Sequence, residues 1–412
     1  MGKPFSIITK PIGPICNINC KYCFYLDKEK LYPEEKSWKM SDAILENYIK
    51  QYIESQPAGL VQFLWQGGEP ALLGLSFYEK ALELQNKYSN GKYIENAFQT
   101  NGILLDDEWC KFFADHDFLV GISIDGPKQL HDYYRVNKKG KSTFDLVLRG
   151  IDYLKKHSVR FNTLTVVNRK NSYYPLEVYE FLKEIGSEFM QFIPAVERRK
   201  NSEAKIPESN IYHENVNSYV SDWSVEADQY GNFLCEIFDE WVKKDVGKYF
   251  IQSFDVGLGS WYGVPPSLCV VAETCGNALA IEHNGDLYSC DHYVFPENLL
   301  GNISVESIGL LAVSEQQEKF GRDKKEKLPG YCLKCEYKFA CNGGCPKDRF
   351  ITTPEGEAGL NYLCSGYKKF FEHIGPYMKF MVNELNQKQS PSNVMNLFRT
   401  EETWQNFTRK ND

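Results

Sequence analysis

The sequence predicts an α/β fold of six successive βα units followed by a cysteine-rich region. Residues 1–195 alternate short β-branched, apolar runs with amphipathic stretches, the pattern of parallel strands joined by helices. Thirteen cysteines occur in 412 residues, and eleven of them fall into two groups. In a reducing cytosol, clustered cysteines bind metal or do chemistry more often than they form disulfides. Six units fit a barrel or partial barrel, with a doubly wound open sheet as the main alternative.

Each unit has a recognisable strand, and most have a recognisable helix start. The predicted strands are Phe5–Thr9, Val61–Gln66, Ile94–Gln99, Phe118–Ile124, Arg160–Val167 and Phe189–Ile193. Helices are predicted to start at Ser41, at a capping box Ser76-Phe-Tyr-Glu79, at Asp106 and at Ser142, and a fifth runs from Pro175 to Gly186. Functional residues of such a fold lie where the strands run into the following loops.

Charge and hydropathy narrow the class of protein. Lys and Arg total 47 against 55 Asp and Glu, a net charge of −8 that does not favour a nucleic-acid partner. No segment reaches the roughly 18 consecutive apolar residues that a membrane span needs, and the first residues lack a secretory signal. We therefore expect a cytoplasmic protein that binds neither nucleic acid nor membrane. The lack of an obvious dimerisation segment favours a monomer.

The chain is predicted to divide into three parts. Residues 1–235 hold the six βα units, and residues 236–377 hold eight of the cysteines. Within this second part, Ala280 to Cys290 is typical of a hairpin, with Asn284-Gly285 as its turn. Residues 378–412 form a polar tail that is expected to begin as a helix. Cys110 and Cys235 stand alone and are expected to be buried small apolar residues.

Three cysteines follow the first predicted strand on one short loop. Their spacing, Cys16-x3-Cys20-x2-Cys23, gathers three thiolates at the carboxyl edge of the sheet. A closed zinc or iron–sulfur site uses four thiolates, so three leave one metal position open to a substrate or cosubstrate. This loop is therefore predicted to hold a metal centre that takes part in chemistry.

The segment Cys16-Asn-Ile-Asn-Cys20-Lys-Tyr-Cys23 resembles the cluster motif of the radical S-adenosylmethionine (SAM) enzymes. In that superfamily three cysteines hold a [4Fe–4S] cluster whose fourth iron chelates SAM. The second strand ends in Gln66-Gly67-Gly68-Glu69-Pro70, which is similar to the superfamily's GGE motif. Two glycines let a backbone approach the methionine ammonium group, and a carboxylate can accept a hydrogen bond from it. The resemblance implies that Gln66 to Glu69 bind SAM.

Three further residues match the family one by one. Ser123 ends the fourth predicted strand and Arg149 lies in the following helix, and both correspond to polar residues that contact SAM in the family members that this chain most resembles. The alternative for Arg149 is an ordinary solvated helix charge. Tyr25, close behind Cys23, is expected near the adenine or the substrate, with core packing as its alternative.

Eight cysteines make up the second group. Their spacing is Cys269-x5-Cys275-x14-Cys290, then Cys332-x2-Cys335-x5-Cys341-x3-Cys345, then Cys364. Because eight is twice four, two closed sites of four thiolates each are the economical interpretation. Two zinc ions or two [4Fe–4S] clusters would satisfy that count.

As a set, these spacings resemble the SPASM domain of radical SAM enzymes that modify peptides and proteins, most closely the anaerobic sulfatase-maturating enzymes. The resemblance covers the chain from its first strand to about Tyr377. It implies a partial (β/α)6 TIM-type barrel with a SPASM domain, and three [4Fe–4S] clusters in all. By this resemblance, Cys269, Cys275, Cys290 and Cys345 hold one auxiliary cluster, and Cys332, Cys335, Cys341 and Cys364 hold the other.

Asp291, which directly follows Cys290, indicates which reaction is expected among those of the SPASM enzymes. In the sulfatase-maturating enzymes the Asp of this Cys-Asp pair is the proposed general base. A carboxylate next to a cluster ligand is held in place and can meet a substrate thiol or hydroxyl with fixed geometry. Capping a turn is the alternative role for Asp291.

The resemblance also implies a substrate and partners. A 5′-deoxyadenosyl radical made from SAM would take a β-hydrogen from a Cys or Ser side chain in an unfolded sulfatase segment of the Cys/Ser-x-Pro-x-Arg kind, giving Cα-formylglycine. A flavodoxin- or ferredoxin-type protein would donate electrons. One alternative is a SPASM maturase that modifies or crosslinks another ribosomally made peptide. A non-enzymatic iron–sulfur or zinc protein is the other.

Overall fold

A computed structural model describes residues 4–57, 59–200, 218–400 and 407. The strands are β1 (Ser6–Lys10), β2 (Ile18–Cys20), β3 (Leu60–Trp65), β4 (Tyr93–Thr100), β5 (Leu119–Ser123), β6 (Arg135–Asn137), β7 (Phe161–Val167), β8 (Phe189–Pro194), β9 (Arg198–Lys200), β10 (Ser218–Val220), β11 (Phe250–Ile251), β12 (Ala278–Glu282), β13 (Asp286–Tyr288), β14 (Leu299–Asn302), β15 (Ile351–Thr352) and β16 (Ala358–Leu360). The α-helices are α1 (Asp42–Ser55), α2 (Leu75–Tyr88), α3 (Asp107–Asp115), α4 (Lys128–Tyr134), α5 (Phe144–Lys156), α6 (Pro175–Glu184), α7 (Ala227–Lys244), α8 (Gln252–Trp261), α9 (Ile308–Leu311), α10 (Glu315–Glu326), α11 (Gly330–Leu333), α12 (Lys338–Cys341) and α13 (Cys364–Asn386).

Ten strands form the main sheet, in the order β11-β8-β7-β5-β4-β3-β1-β12-β13-β14. From β1 to β8 every pairing is parallel and the strands follow one another in chain order. A doubly wound sheet would reverse its strand order at a switch point, so that alternative is wrong. The six predicted strands are confirmed, each within two residues of its expected ends. The result is the α/β, partial-barrel arrangement of six βα units.

The cysteine-rich region extends the same sheet. Strand β12 pairs in parallel with β1, from Ser6 opposite Ala278 to Lys10 opposite Glu282, and β13 and β14 continue antiparallel from it. The predicted hairpin is confirmed, with Gly285 at a φ of +88° in its turn, where glycine is favoured. Helix α7 runs through residues 235 and 236, and α13 runs through 377 and 378. The three-part division of the chain stays a prediction.

Two of the four predicted helix caps are confirmed. The Ser41 hydroxyl accepts a hydrogen bond from the Ile44 N–H, and the Asp106 carboxylate accepts one from the Trp109 N–H. The capping box at Ser76 is wrong, because α2 already begins at Leu75, after Gly74. The start at Ser142 is also wrong, because α5 begins at Phe144.

The reason for the later start of α5 is a carboxylate from a different helix. Asp132, on α4, accepts hydrogen bonds from the backbone N–H groups of Thr143 and Phe144 at 2.9 and 3.2 Å. The Ser142 hydroxyl donates to the same carboxylate and does not cap the helix. A sequence pattern cannot reveal a cap supplied from a distant element.

The core lies between the sheet and its helices and is rich in aromatic residues, with Trp65, Tyr48 and Phe63 completely buried. Cys110 and Cys235 belong to this core, which confirms their expected burial. In the described part of the chain, no helix is both long enough and apolar enough to cross a membrane.

Candidate active site

The cysteine loop begins directly after β1 and is pinned at two points. Strand β2, which ends at Cys20, pairs with β6, and the Asn101 amide donates to Asn17 Oδ1 at 2.7 Å and to Cys16 Sγ at 3.7 Å. Burial raises the pKa of Cys16 to about 11 and that of Cys20 to about 12. Buried thiols with raised pKa values stay protonated at neutral pH unless a cation such as cluster iron binds and stabilises the thiolate. The donor set therefore suits an iron–sulfur cluster.

The Gly67-Gly68 pair runs directly against this loop. The Gly68 N–H donates to Gly13 O and the Glu69 N–H donates to Ile15 O, both at 2.8 Å. A Cβ on Gly68 would lie 2.0 Å from Ile15 O, which no real structure tolerates. Glycine is thus required at position 68 for contact with the cysteine loop, a packing role that the sequence interpretation did not include.

Glu69 lies behind the loop and not on its open side. Its buried carboxylate accepts hydrogen bonds from the Thr100 hydroxyl and from the backbone N–H groups of Ala71 and Asn101, at 2.7 to 3.0 Å. Burial raises the pKa of Glu69 in spite of these donors. This geometry gives Glu69 a structural role that joins the ends of β3 and β4, and direct contact of its carboxylate with SAM stays a prediction.

One cavity of about 970 Å³ lies at the carboxyl ends of the strands. Three sets of predicted site residues line it. They are the cysteines of the first loop (Cys16, Cys20, Cys23), the predicted SAM-binding residues Gln66, Gly67, Gly68, Ser123 and Tyr25, and from the cysteine-rich region Asp291, Cys269, Cys275, Cys290 and Cys345. Residues more than 240 positions apart in the chain thus face the same space, which is large enough for a cofactor and a peptide segment.

The predicted SAM contacts differ in where they lie. Ser123 faces the cavity and its hydroxyl accepts a hydrogen bond from the Gln99 side chain at 3.0 Å. Tyr25 also lines the cavity, and its hydroxyl donates to the buried Glu282 carboxylate. Arg149 is exposed on α5 and donates to Ile103 O at 2.9 Å, and Ile103 packs against the residues of the first cysteine loop. Contact of Arg149 with SAM stays a prediction.

Asp291 forms a buried ion pair that the sequence did not indicate. Its Oδ1 atom meets the ammonium group of Lys10, the last residue of β1. Lys10 has no exposed surface, and its Nζ also lies over the Tyr25 ring, 4.5 Å from the centroid. Burial by itself would raise the pKa of Asp291, but Lys10, together with His292 and Lys28, outweighs it and the pKa is lowered. The carboxylate is therefore ionised at neutral pH and lines the cavity, and its role as the general base stays a prediction.

The eight remaining cysteines lie in two separate neighbourhoods. Cys269, Cys275, Cys290 and Cys345 line the cavity, and the buried Lys324 ammonium donates to Cys269 O and Val270 O beside them. The thiols of Cys332, Cys335 and Cys364 lie close enough to Cys341 to raise its pKa, which burial brings to about 12. Cys332 and Cys364 also share one small apolar cluster with Leu328 and Leu360.

Four thiols in each neighbourhood fit the expected two auxiliary clusters. In the described part of the chain, no three His, Cys, Asp or Glu side chains converge closely enough to hold a single metal ion.

Among the buried cations at this site, sequence reasoning missed Lys10 and Arg135. Lys10 offered a signal, since it is a charged residue at the end of an apolar strand directly before the cysteine loop. Arg135 offered none, because it lies in a polar stretch whose fold was not legible from the sequence. Arg135 is 5% exposed, lines the cavity and is paired in register with Cys20.

The site belongs to a known class of protein. Residues 11–182 match the model of the Radical SAM superfamily, and residues 269–336 match the SPASM model, described as an iron-sulfur cluster-binding domain. The chain is therefore a radical SAM protein with a SPASM domain.

Relatives narrow the assignment. The chain is 50% identical over 394 residues to a serine-type anaerobic sulfatase-maturating enzyme of Bacteroides thetaiotaomicron, covering 96% of this chain and 95% of that one. It is 33% identical to a cysteine-type anaerobic sulfatase-maturating enzyme of Clostridium perfringens, covering 93% and 99%. A solved structure described as native anSMEcpe with bound AdoMet and Kp18Cys peptide matches 93% of this chain and 100% of that one, with a TM-score of 0.81 and 32% identity. This chain belongs to the anaerobic sulfatase-maturating enzymes, which confirms the family that its motifs predicted.

Proposed function

We propose that this chain binds SAM and three [4Fe–4S] clusters, and oxidises a Cys or Ser side chain in a Cys/Ser-x-Pro-x-Arg segment of an unfolded sulfatase to Cα-formylglycine. One observation carries the proposal: the Cys16, Cys20 and Cys23 loop and the Asp291 carboxylate line the same cavity. The reaction removes a carbon-bound hydrogen atom and a thiol or hydroxyl proton from the same substrate residue. It therefore requires a radical source and a base that face the same cavity.

Each cofactor has residues that suit it. The three cysteines of the first loop would hold the SAM cluster, with Gln66 to Gly68 and Ser123 beside the SAM. Cys269, Cys275, Cys290 and Cys345 would hold the auxiliary cluster nearer to the substrate, since all four line the cavity. Cys332, Cys335, Cys341 and Cys364 would hold the other.

When bound, SAM and its reduced cluster supply a radical that takes one hydrogen atom from the substrate β-carbon. The chain supplies the second half of the oxidation. Asp291 accepts the proton from the substrate sulfur or oxygen, and Lys10 holds that carboxylate ionised and aimed into the cavity. The substrate thus loses one hydrogen atom, one proton and one further electron, which is two electrons and two protons in total. Cys269, Cys275, Cys290 and Cys345 would hold an auxiliary cluster that would supply an acceptor for that last electron.

The proposal extends to the surroundings of the enzyme. We expect a flavodoxin- or ferredoxin-type protein to supply the first electron, and the enzyme to act as a monomer in the cytoplasm. The 50% identity to a serine-type relative makes a serine substrate as worth testing as a cysteine one.

The test is an anaerobic reaction of the reconstituted protein with SAM, dithionite and matched Cys-x-Pro-x-Arg and Ser-x-Pro-x-Arg peptides. We expect about twelve iron atoms per chain, 5′-deoxyadenosine, and a peptide mass loss of about 18 Da for Cys or about 2 Da for Ser. A Cys20→Ala variant controls for chemistry that does not need the first cluster. Deoxyadenosine formation with both peptides unchanged would overturn the proposed substrate, and a fully loaded protein that never cleaves SAM would overturn the proposed chemistry.

A further inference from the structure

Arg135 is held next to the first cysteine loop by a strand pairing. Strands β2 and β6 pair antiparallel, with Cys20 opposite Arg135 in register, and the Lys21 N–H donates to Tyr134 O at 3.0 Å. The Arg135 side chain is buried and lines the cavity together with Cys20. A permanent positive charge is thus fixed beside one of the three proposed ligands of the SAM cluster.

The charge of Arg135 is only indirectly compensated. One guanidinium nitrogen donates to the Tyr22 hydroxyl at 3.0 Å, and that hydroxyl donates to the buried Asp125 carboxylate. Among the described residues, the buried Nε atom of Arg135 has no hydrogen-bond partner. An arginine that only completed the fold would be expected to use its donors on neighbouring acceptors, because an unpaired buried N–H is costly.

Arg135 and Asp125 act on Cys20 with opposite signs. Cys20 lies opposite Arg135 in the β2–β6 pairing, and Arg135 is linked through the Tyr22 hydroxyl to the buried Asp125 carboxylate, so a positive and a negative group both lie near the Cys20 ligand. The Arg135 guanidinium stays charged, because arginine keeps its proton even when it is buried. The same two charges would act on any redox centre that Cys20 ligates.

On the basis of the proposed function, we propose that Arg135 sets the reduction potential of the SAM cluster. Reduction adds one negative charge to a cluster, and a nearby buried cation stabilises the more negative state while a nearby anion destabilises it. Arg135 therefore raises the potential and makes the cluster easier to reduce, and Asp125 lowers it. Because the two charges have opposite signs, removing one or the other should shift the reduction potential in opposite directions. A merely structural role would not produce opposite shifts.

The experiment is a potentiometric EPR titration of the reconstituted full-length protein, following the cluster signal that changes when SAM is added. Arg135→Met should leave about tenfold less reduced cluster at a fixed potential, a fall in midpoint of about 59 mV. Asp125→Asn should shift the midpoint upwards, and Arg135→Lys should stay near wild type because it keeps the charge. Arg160→Met, at an exposed arginine paired with Asp117, is the matched control.

Several results would overturn the inference. Shifts of the same sign in Arg135→Met and Asp125→Asn would indicate a structural disturbance, and a fully loaded Arg135→Met with an unchanged midpoint would show that the charge does not matter. If Arg135→Met fails to bind iron, the test rests on the Asp125→Asn variant alone. An unchanged or lower midpoint potential of Asp125→Asn would then contradict the inference. A wild-type protein whose EPR signal does not respond to SAM would count against the proposed function and not against Arg135.

Discussion

Replacing Lys10 with methionine should uncouple SAM cleavage from peptide oxidation. Lys10 is fully buried and its ammonium group is the counter-ion of Asp291. Methionine has a similar length and removes only the charge. The Asp291 carboxylate then remains in a buried place where desolvation raises its pKa and the main opposing charge is gone. A carboxyl group that already holds a proton cannot take one from the substrate.

The size of the effect follows from the ion pair. Two unit charges about 4 Å apart interact by about 4 kcal/mol at an effective dielectric constant of about 20. Removing one partner of a buried pair costs about 3–5 kcal/mol, and a positioned general base contributes about 10²-fold or more to a rate. We therefore expect peptide oxidation to fall about 10²-fold in Lys10→Met and in Asp291→Asn. Formation of 5′-deoxyadenosine should continue at a rate near wild type, because the first cysteine loop is unchanged.

The assay measures both products in the same anaerobic reaction, 5′-deoxyadenosine by chromatography and the peptide by mass spectrometry. Because the two residues act as one unit, the Lys10→Met/Asp291→Asn double variant should lose no more activity than either single variant. Lys10→Arg should retain much of the activity, and Lys156→Met, at an exposed lysine, should behave as wild type. Losses that multiply to about 10⁴-fold in the double variant would refute the reasoning. So would a Lys10→Met protein that oxidises the peptide normally.

Three further predictions concern the cofactors and the fold. Gly68→Ala should lower the iron content from about twelve to about eight atoms per chain and abolish SAM cleavage. The reason is that the new Cβ would lie 2.0 Å from Ile15 O and displace the cysteine loop. A fully iron-loaded Gly68→Ala protein would contradict this prediction and show that the loop adapts. Cys341→Ala should also give about eight iron atoms yet keep SAM cleavage, so a loss of 5′-deoxyadenosine there would contradict the separation of the two sites. Burial lowers the pKa of His131 to about 3, whereas the unfolded chain titrates near 6.5. The unfolded state therefore takes up a proton that the native state does not, and from pH 7 to 5.5 the free energy of unfolding should fall by about 1.3 kcal/mol through this group. His131→Gln should remove that part of the slope in urea unfolding, and an unchanged slope would contradict a neutral His131.

Sequence patterns predicted helix caps and turns correctly where the residues that form them are close together in the chain. The Ser41 and Asp106 caps lie within three residues of the N–H groups that they satisfy, and the hairpin turn needs only Gly285 and its neighbours. Prediction failed where a distant group decides. Helix α5 starts two residues after Ser142 because Asp132, on another helix, provides the cap.

The GGE motif shows the same limit within the site. The sequence predicted the motif at the end of β3, but it did not predict the role of each residue in it. Gly68 is required by the backbone of Ile15, and the Glu69 carboxylate is taken up by Thr100 and the start of the next loop. Arg149 matched the family by position, and the folded chain shows its guanidinium donating to Ile103 O, so its contact with SAM stays a prediction.

The sequence by itself determined the class of this protein, because cysteine spacing and the alternation of strands and helices are properties of short segments. It determined six parallel strands, a three-cysteine loop after the first, and eight further cysteines. Only the tertiary structure decided which of those eight lie together, that Lys10 is the partner of Asp291, and that Arg135 lies opposite Cys20. These relations join residues far apart in the chain, and they are set by strand order and register in the folded sheet, which no local pattern encodes.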